Sequence, residues 1–264
     1  MEIKGQVTVF VILAILLFAV IALVFILYQN QFSKTIGKTE DHPINNFEDC
    51  INGYVNQAAD LVYANSGFIE MPTLTYLLTN TEGYYKQFDI RGIPYLCYTA
   101  LDYTRCTPQA PLLISHLEKE IFDYIEPKID FCFELVKNGL EEAGYKVNLE
   151  NIEEVNAEVV KNAIEVRVKR KLTQSKSEFE ETFDSFQANF RSPLYDIAKI
   201  TEEIINQESL QCNANYIGIM AANKNFDVEK FESGNGVTIY TVTDMKTKKS
   251  WTFAIRGCVL SVPS

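Results

Sequence analysis

The sequence predicts an α+β protein in which one N-terminal transmembrane helix precedes a disulfide-bonded ectodomain of helices and antiparallel β-hairpins. Three observations carry this. Residues 7 to 28 form an apolar run of about 22 residues with neither charge nor glycine. All six cysteines fall beyond that run. In the rest of the chain the hydrophobic period changes from 3.6 to 2 at about Val155.

As a helix, about 22 residues cover the ~30 Å hydrocarbon core of a bilayer. A helix that is apolar on every face fits lipid better than an amphipathic place in a soluble core. A secretory signal has an apolar stretch of about 7–15 residues followed by small residues. Here the run ends in Phe25-Ile26-Leu27-Tyr28, which argues against ordinary signal-peptidase removal. The polar leader Met1 to Gly5 abuts the run directly, so a cut that keeps the helix falls after Gly5.

Basic residues do not orient the span, because Lys4 on one side faces Lys34 and Lys38 on the other. The cysteines do. An even number spread through one polar domain suits three disulfides in an oxidising compartment, which puts the domain outside and the leader inside. No C-x-x-C pair exists, and His42 and His116 lie near no cysteine at ligand spacing, so no metal site is expected. The organisation is then a cytoplasmic leader (1–5), a transmembrane helix (6–29), a polar juxtamembrane tether (30–45) and an extracellular α+β domain (46–264). That domain is one body or two subdomains, 46–144 and 145–264.

Asn46-Phe47-Glu48-Asp49 supplies a cap residue and first-turn acids, and Ile51, Tyr54, Val55, Ala58, Leu61 and Val62 follow at helical spacing, ending near Asn65-Ser66-Gly67. A second helical stretch covers about Ser115 to Ala143, with Leu117, Ile121, Ile125, Ile129, Phe133, Val136 and Leu140 as its stripe. Pro127 kinks or divides it, and Gly144 suits its C-terminal cap. His116, beside its start, reads as a surface or capping residue. Val155, Ala157 and Val159, then Ile164, Val166 and Val168, alternate about a Lys161-Asn162 turn and read as a hairpin. Phe179, Phe183, Phe186 and Phe190 extend that sheet with an irregularity. Ser192-Pro193 opens a helix through about Gln207. The last hairpin joins Val237–Thr243 to Ser250–Ile255 through a Lys-rich turn.

Six cysteines allow fifteen pairings. Locally, Cys97 and Cys106 form the base of a short loop. Element placement pairs Cys50 with Cys132, since both fall in helical stretches, and elimination leaves Cys212 with Cys258.

A formal net charge of −11 disfavours nucleic acid and anionic lipid as partners. The one dense basic stretch, Arg167 to Lys171, starts as the solvent face of a strand. Enzyme signatures are missing: there is no G-x-S-x-G and no H-E-x-x-H, and Gly37-Lys38-Thr39 has Phe32 where a P-loop needs its first glycine. No catalytic residue and no cofactor is expected. The most suggestive binding feature is the stretch Tyr76 to Tyr103, rich in tyrosine and broken by Gly83, Gly92 and Pro94, which runs into the Cys97–Cys106 loop. Aromatics on a stapled loop offer flat contact area to protein or carbohydrate at low entropic cost. Tyr84, Tyr85, Tyr95 and Tyr98 are its candidate recognition patch; the competing reading is that half of these tyrosines cover the domain's own core.

Lys4-Gly5-Gln6, followed at once by Val7-Thr8-Val9-Phe10, resembles the class III signal of archaeal type IV pilins and related surface proteins. In that family a prepilin peptidase cuts on the cytoplasmic side after a basic-Gly or basic-Ala pair. The resemblance implies cleavage between Gly5 and Gln6, an integral place in the cell membrane, and packing with other pilin-like subunits. Thr8 matches a hydroxyl often found at the third mature position, whereas Phe10 stands where the fifth is commonly Glu. With the large ectodomain, that departure implies a minor or tip subunit of a pilus-like filament acting in adhesion. The alternative is a single-pass receptor or binding protein that does not assemble. The element order also looks like a group of membrane-anchored surface proteins of small-genome archaea, through Cys50 with its helix, Gly67-Phe68-Ile69, Ile93-Pro94-Tyr95, Tyr124-Ile125 to Cys132, Tyr195 to Ala198 and Phe253-Ala254-Ile255. That group implies location and processing, and no activity.

Overall fold

Spacings of three and four along Phe47, Ile51, Val55, Ala58 and Val62 make one apolar face, and in the computed structural model that face is buried along α1 (Pro43–Ala64). The structure describes residues 42–77, 92–233 and 236–259. The chain divides into the units Met1–His42 and Pro43–Ser264, and every element below belongs to the second. Gly5, Gln6 and the apolar run lie outside the described residues. Among the described residues no helix is long and apolar enough to cross a membrane.

Helix α1 begins at Pro43, ahead of the expected start at Asn46, and Pro43 is itself buried. Proline is well suited to a first turn, where its missing N–H has no helical partner to lose. At the other end Ser66 adopts φ 50°. Its N–H reaches the Tyr63 carbonyl (3.4 Å) and that of Gly67 the Val62 carbonyl (2.9 Å), closing the helix with a Schellman motif. The Ser66 hydroxyl then donates to the Thr252 carbonyl (2.5 Å) and accepts from the Thr252 N–H (3.1 Å), tying the end of α1 to a strand far along the chain.

Helix α2 (Leu113–Glu142) is continuous through Pro127 rather than divided there. A proline inside a helix costs about 3 kcal/mol. The stripe on either side of it, from Leu117 to Leu140, is fully buried or nearly so, and packing along that length holds the two halves together. Gly144, at φ 87°, lets the chain leave α2 through a second Schellman motif, with Gly144 N–H on the Glu141 carbonyl and Tyr145 N–H on that of Leu140. His116 is half-buried, its ring edge-on to Phe68 at 4.7 Å. Its Nε2 is enclosed without a partner among the described residues, so it is neither a free surface group nor a cap.

Strands β1 (Thr75–Tyr76), β2 (Ile93–Tyr98) and β3 (Thr107–Pro108) precede α2 in the chain. After it come three long strands, β4 (Lys146–Val160), β5 (Ala163–Lys176) and β6 (Phe179–Arg191), in one antiparallel sheet ordered β4-β5-β6. Lys161 and Asn162 make the expected turn, with Asn162 at φ 67°. The two-residue turn sets the register, with Val155 opposite Val168, Ala157 opposite Val166 and Val159 opposite Ile164. Both strands run well past the predicted hairpin. The extra length is charged, and cross-strand pairs such as Lys169 with Glu154 and Arg167 with Glu158 line the exposed face. Arg170 departs from the solvent-face reading. Its side chain is 10% exposed, donates to Asp130 (2.7 Å) and to the Glu150 carbonyl (2.7 Å), and lies 4.7 Å over the Phe133 ring.

Helix α3 (Leu194–Gln211) starts one residue later than the sequence predicts. Pro193 takes the cap position, and the Ser192 hydroxyl accepts from Leu194 N–H (3.2 Å) while pairing with the Tyr63 hydroxyl (2.7 Å). Short α4 (Tyr216–Ala222) and strands β7 (Phe226–Glu232), β8 (Val237–Asp244) and β9 (Ser250–Arg256) complete the domain. The second sheet is ordered β1-β2-β9-β8-β7, with β3 on β2; its β2–β9 pair is parallel and its other pairs are antiparallel. Asp244 closes the β8–β9 turn by accepting from the N–H groups of Lys246 and Thr247 and from the Thr247 hydroxyl. Burial opposes its charge, but those hydrogen bonds outweigh burial and hold the carboxyl below the ordinary range.

Both sheets lean on the same helices. Phe47 of α1, Phe133 of α2 and Phe186 of β6 meet with ring centroids 4.6 to 5.4 Å apart. Trp251 of β9 donates its indole N–H to Thr201 of α3 (2.7 Å) inside the same core. The disulfides are Cys50–Cys132, Cys97–Cys106 and Cys212–Cys258, the pairs expected from helix placement, loop spacing and elimination respectively. They close separations of 82, 9 and 46 residues. Chain entropy then orders their removal by paired Cys→Ser replacement at about 4.5, 4 and 2.7 kcal/mol for Cys50–Cys132, Cys212–Cys258 and Cys97–Cys106. Urea unfolding of the three double variants checks that order; equal losses would contradict it.

Candidate recognition surface

Proline at the second position of β2 is tolerated because β1 pairs there over only two residues, Thr75 with Pro94 and Tyr76 with Ile93. Further along, the register of β2 against β9 shifts between Tyr95 and Cys97. Strict alternation puts residues three apart on opposite faces. The irregularity instead turns Leu96 and Cys97 toward the helices, and Tyr95 and Tyr98 meet with ring centroids 4.9 Å apart at 61°. Tyr76 adds a second edge-on contact to Tyr95 at 6.3 Å.

These rings belong to a small second cluster on the other face of the sheet, with Ile93, Val237, Ile239 and Ala254. Tyr95 is only 8% exposed and serves as packing. Burial first, and then Tyr98 and Tyr76, push its hydroxyl up to about 12. Tyr98 is half-buried. Tyr84 and Tyr85 lie outside the described residues.

The exposed apolar groups sit just beyond, in the loop that Cys97–Cys106 closes. Leu101 is 66% exposed and Tyr103 is 65% exposed. Such groups normally cost little only when the loop is already ordered, and this one is fixed at many points. Thr99 N–H donates to the Arg256 carbonyl (2.9 Å), Tyr103 N–H to that of Val259 (2.9 Å), and Cys258 N–H to that of Thr104 (2.7 Å). The Arg256 guanidinium donates to the Thr99 carbonyl (2.6 Å) and to Asp102 (3.0 Å). Tyr103 holds φ 57°, a left-handed backbone that a side chain of its size adopts only when its surroundings fix it. Gly257 is required beside it, since a Cβ there would fall 2.9 Å from the Cys106 backbone nitrogen.

The arrangement is a rigid projection with an apolar tip on one edge of the second sheet. It has the form of a contact surface, with ordering already supplied by covalent and hydrogen-bond restraints. Among the described residues no group of three acidic, histidine or cysteine side chains is placed to hold a metal ion. The sequence pointed to this region through its tyrosines but passed over Leu101, the most exposed apolar side chain of the loop; the signal was an apolar residue between cysteines nine apart.

Arg256→Ala removes both side-chain restraints on the loop. Amide exchange at Leu101 and Tyr103 is expected to rise about tenfold, equivalent to the loss of one or two hydrogen bonds. Hydrogen-exchange mass spectrometry reads this, and an unchanged loop would show that the disulfide alone orders it. Compared with known protein families, curated proteins and solved structures, the chain has no match.

Proposed function

We propose that this chain is a pilin-like cell-surface protein, anchored by its N-terminal apolar segment and cut by a prepilin peptidase between Gly5 and Gln6. The observation that carries the reading is the junction itself: a basic-Gly pair, Lys4-Gly5, is separated from an uncharged run of about 22 residues by Gln6 alone. A domain with all six cysteines in disulfides supports an oxidising, extracellular side for Pro43–Ser264.

The processed helix leaves the bilayer and packs among other pilin-like subunits, replacing lipid contact with helix contact. Phe10 lacks the carboxylate that would pair with a neighbour's N-terminus. This favours a minor or tip position, where the ectodomain meets only part of the regular lattice. At a tip the stapled loop with Leu101 and Tyr103 contacts the surface to which the cell adheres. The unprocessed alternative is a monomeric, single-pass membrane-anchored receptor or binding protein that does not assemble.

Intact mass of the protein extracted from its native membrane separates the two. Processing predicts a chain beginning at Gln6 that gains about six hydrogens on reduction, two for each bridge. A chain that retains Met1 or Glu2 contradicts the pilin-like reading.

A further inference from the structure

Apart from the stapled loop, a concavity lies where α3 ends. Cys212 caps that helix at φ 59°, with its N–H on the Glu208 carbonyl (3.0 Å), and is bridged to Cys258. The following turn is strung over the helix end by two side chains. Ala214 N–H donates to Glu208 (3.2 Å) and Asn215 N–H donates to Gln207 (2.7 Å). Glu208 is 6% exposed and also receives the Tyr240 hydroxyl, so the floor of the groove is fixed from below. Burial, with the Glu208 hydrogen bond added to it, raises the Tyr240 hydroxyl far above the ordinary phenol range and keeps it a donor.

The walls set polar groups beside apolar Ala214 and Ile217. Asn213, Asn215, Tyr216, Lys230 and Glu232 line a groove of about 690 Å³, within the size range of small-molecule sites. The Lys230 side chain is 13% exposed, and its ammonium donates to Asn213 Oδ1 (2.9 Å) and to Glu232 (2.8 Å). Asn215 Oδ1 accepts from Gly218 N–H (3.0 Å). Among the described residues neither asparagine Nδ2 donates to a protein acceptor, which leaves two amide groups beside an ion pair already in place.

The chemistry of this set selects its ligand. Lys230 and Glu232 cancel in charge, so the groove attracts neither an anion nor a cation strongly. Amide, ammonium and carboxylate groups side by side both donate and accept, which matches the alternating demands of vicinal hydroxyls. Half-buried Tyr216 adds an aromatic surface for the C–H face of a ring. We infer that this groove binds a neutral saccharide, one to three sugar units long. The inference does not depend on processing or assembly, since it concerns the folded domain alone.

Detergent-solubilised full-length protein, titrated with mannotriose and with chitotriose and followed by ligand-observed NMR, tests it. Sialyllactose serves as the anionic control. At least one neutral trisaccharide is expected to bind with a Kd at or below about 1 mM. Asn213→Ala and Lys230→Met are each expected to weaken it about tenfold, and Lys119→Ala, at an exposed position of α2, to leave it unchanged. Asn213 is exposed, so its variant keeps the test sound even where Lys230→Met unfolds. Absence of binding by both neutral probes, equal binding of sialyllactose, or full binding in Asn213→Ala would each overturn the assignment.

Discussion

Both sheets bury an apolar face against one helical layer, and the rings of Phe47, Phe133 and Phe186 are where that layer closes on the sheet β4-β5-β6. The contact joins α1, α2 and β6 at a single point. Cys50–Cys132 bridges the same two helices one turn or less away from those rings, so the covalent link and the aromatic packing fix one geometry. Arg170 stacks on Phe133 from the sheet side and reaches Asp130. From this junction α1 continues to Ser66, whose hydroxyl holds β9, and β9 in turn lies beside β2 and its stapled loop. The apolar tip at Leu101 and Tyr103 is therefore positioned by a chain of contacts that begins in the core.

Much of that core was legible in the sequence because its signals are periodic. The stripes of α1 and α2, the Val-rich hairpin around Asn162 and the final hairpin each repeat a burial pattern over enough residues to be read. The disulfide pairing was legible because placing Cys50 and Cys132 on helices leaves few options. What escaped reading depended on partners far away. Strand β7, Phe-Asp-Val-Glu-Lys-Phe-Glu, buries only Val228 fully and is held by pairing along β8. Helix α2 survives Pro127 through packing that no local propensity reports. The middle of β4, from Glu150 to Glu154, is too charged to look like a strand until Lys169, Arg170 and Lys171 of β5 stand opposite it.

The candidate surface divides along the same line. Tyrosines marked the region, yet a shift of register decided which faced inward, so Tyr95 packs in the sheet's second cluster and Leu101 projects. The groove beside α3 was invisible in sequence, because Asn213 and Asn215 lie in the turn after α3 and Lys230 and Glu232 on β7, and only the fold brings them side by side, with Lys230 on Asn213. Both sites lie on Pro43–Ser264, whereas the feature that points to a pilin-like role lies in the first ten residues. The two regions rest on separate physics: lipid-sized hydrophobicity beside a basic-Gly pair in the first residues, and a disulfide-tied core in Pro43–Ser264.

Assembly is the claim that joins them. Surface filaments sheared from intact cells and labelled with an antibody against Pro43–Ser264 address it directly, with membranes from the same cells as the counterpart fraction. The account predicts label on the filaments, sparse and concentrated at their ends. Label confined to the membrane fraction, with filaments bare, would contradict it and leave a fixed anchor carrying a binding domain.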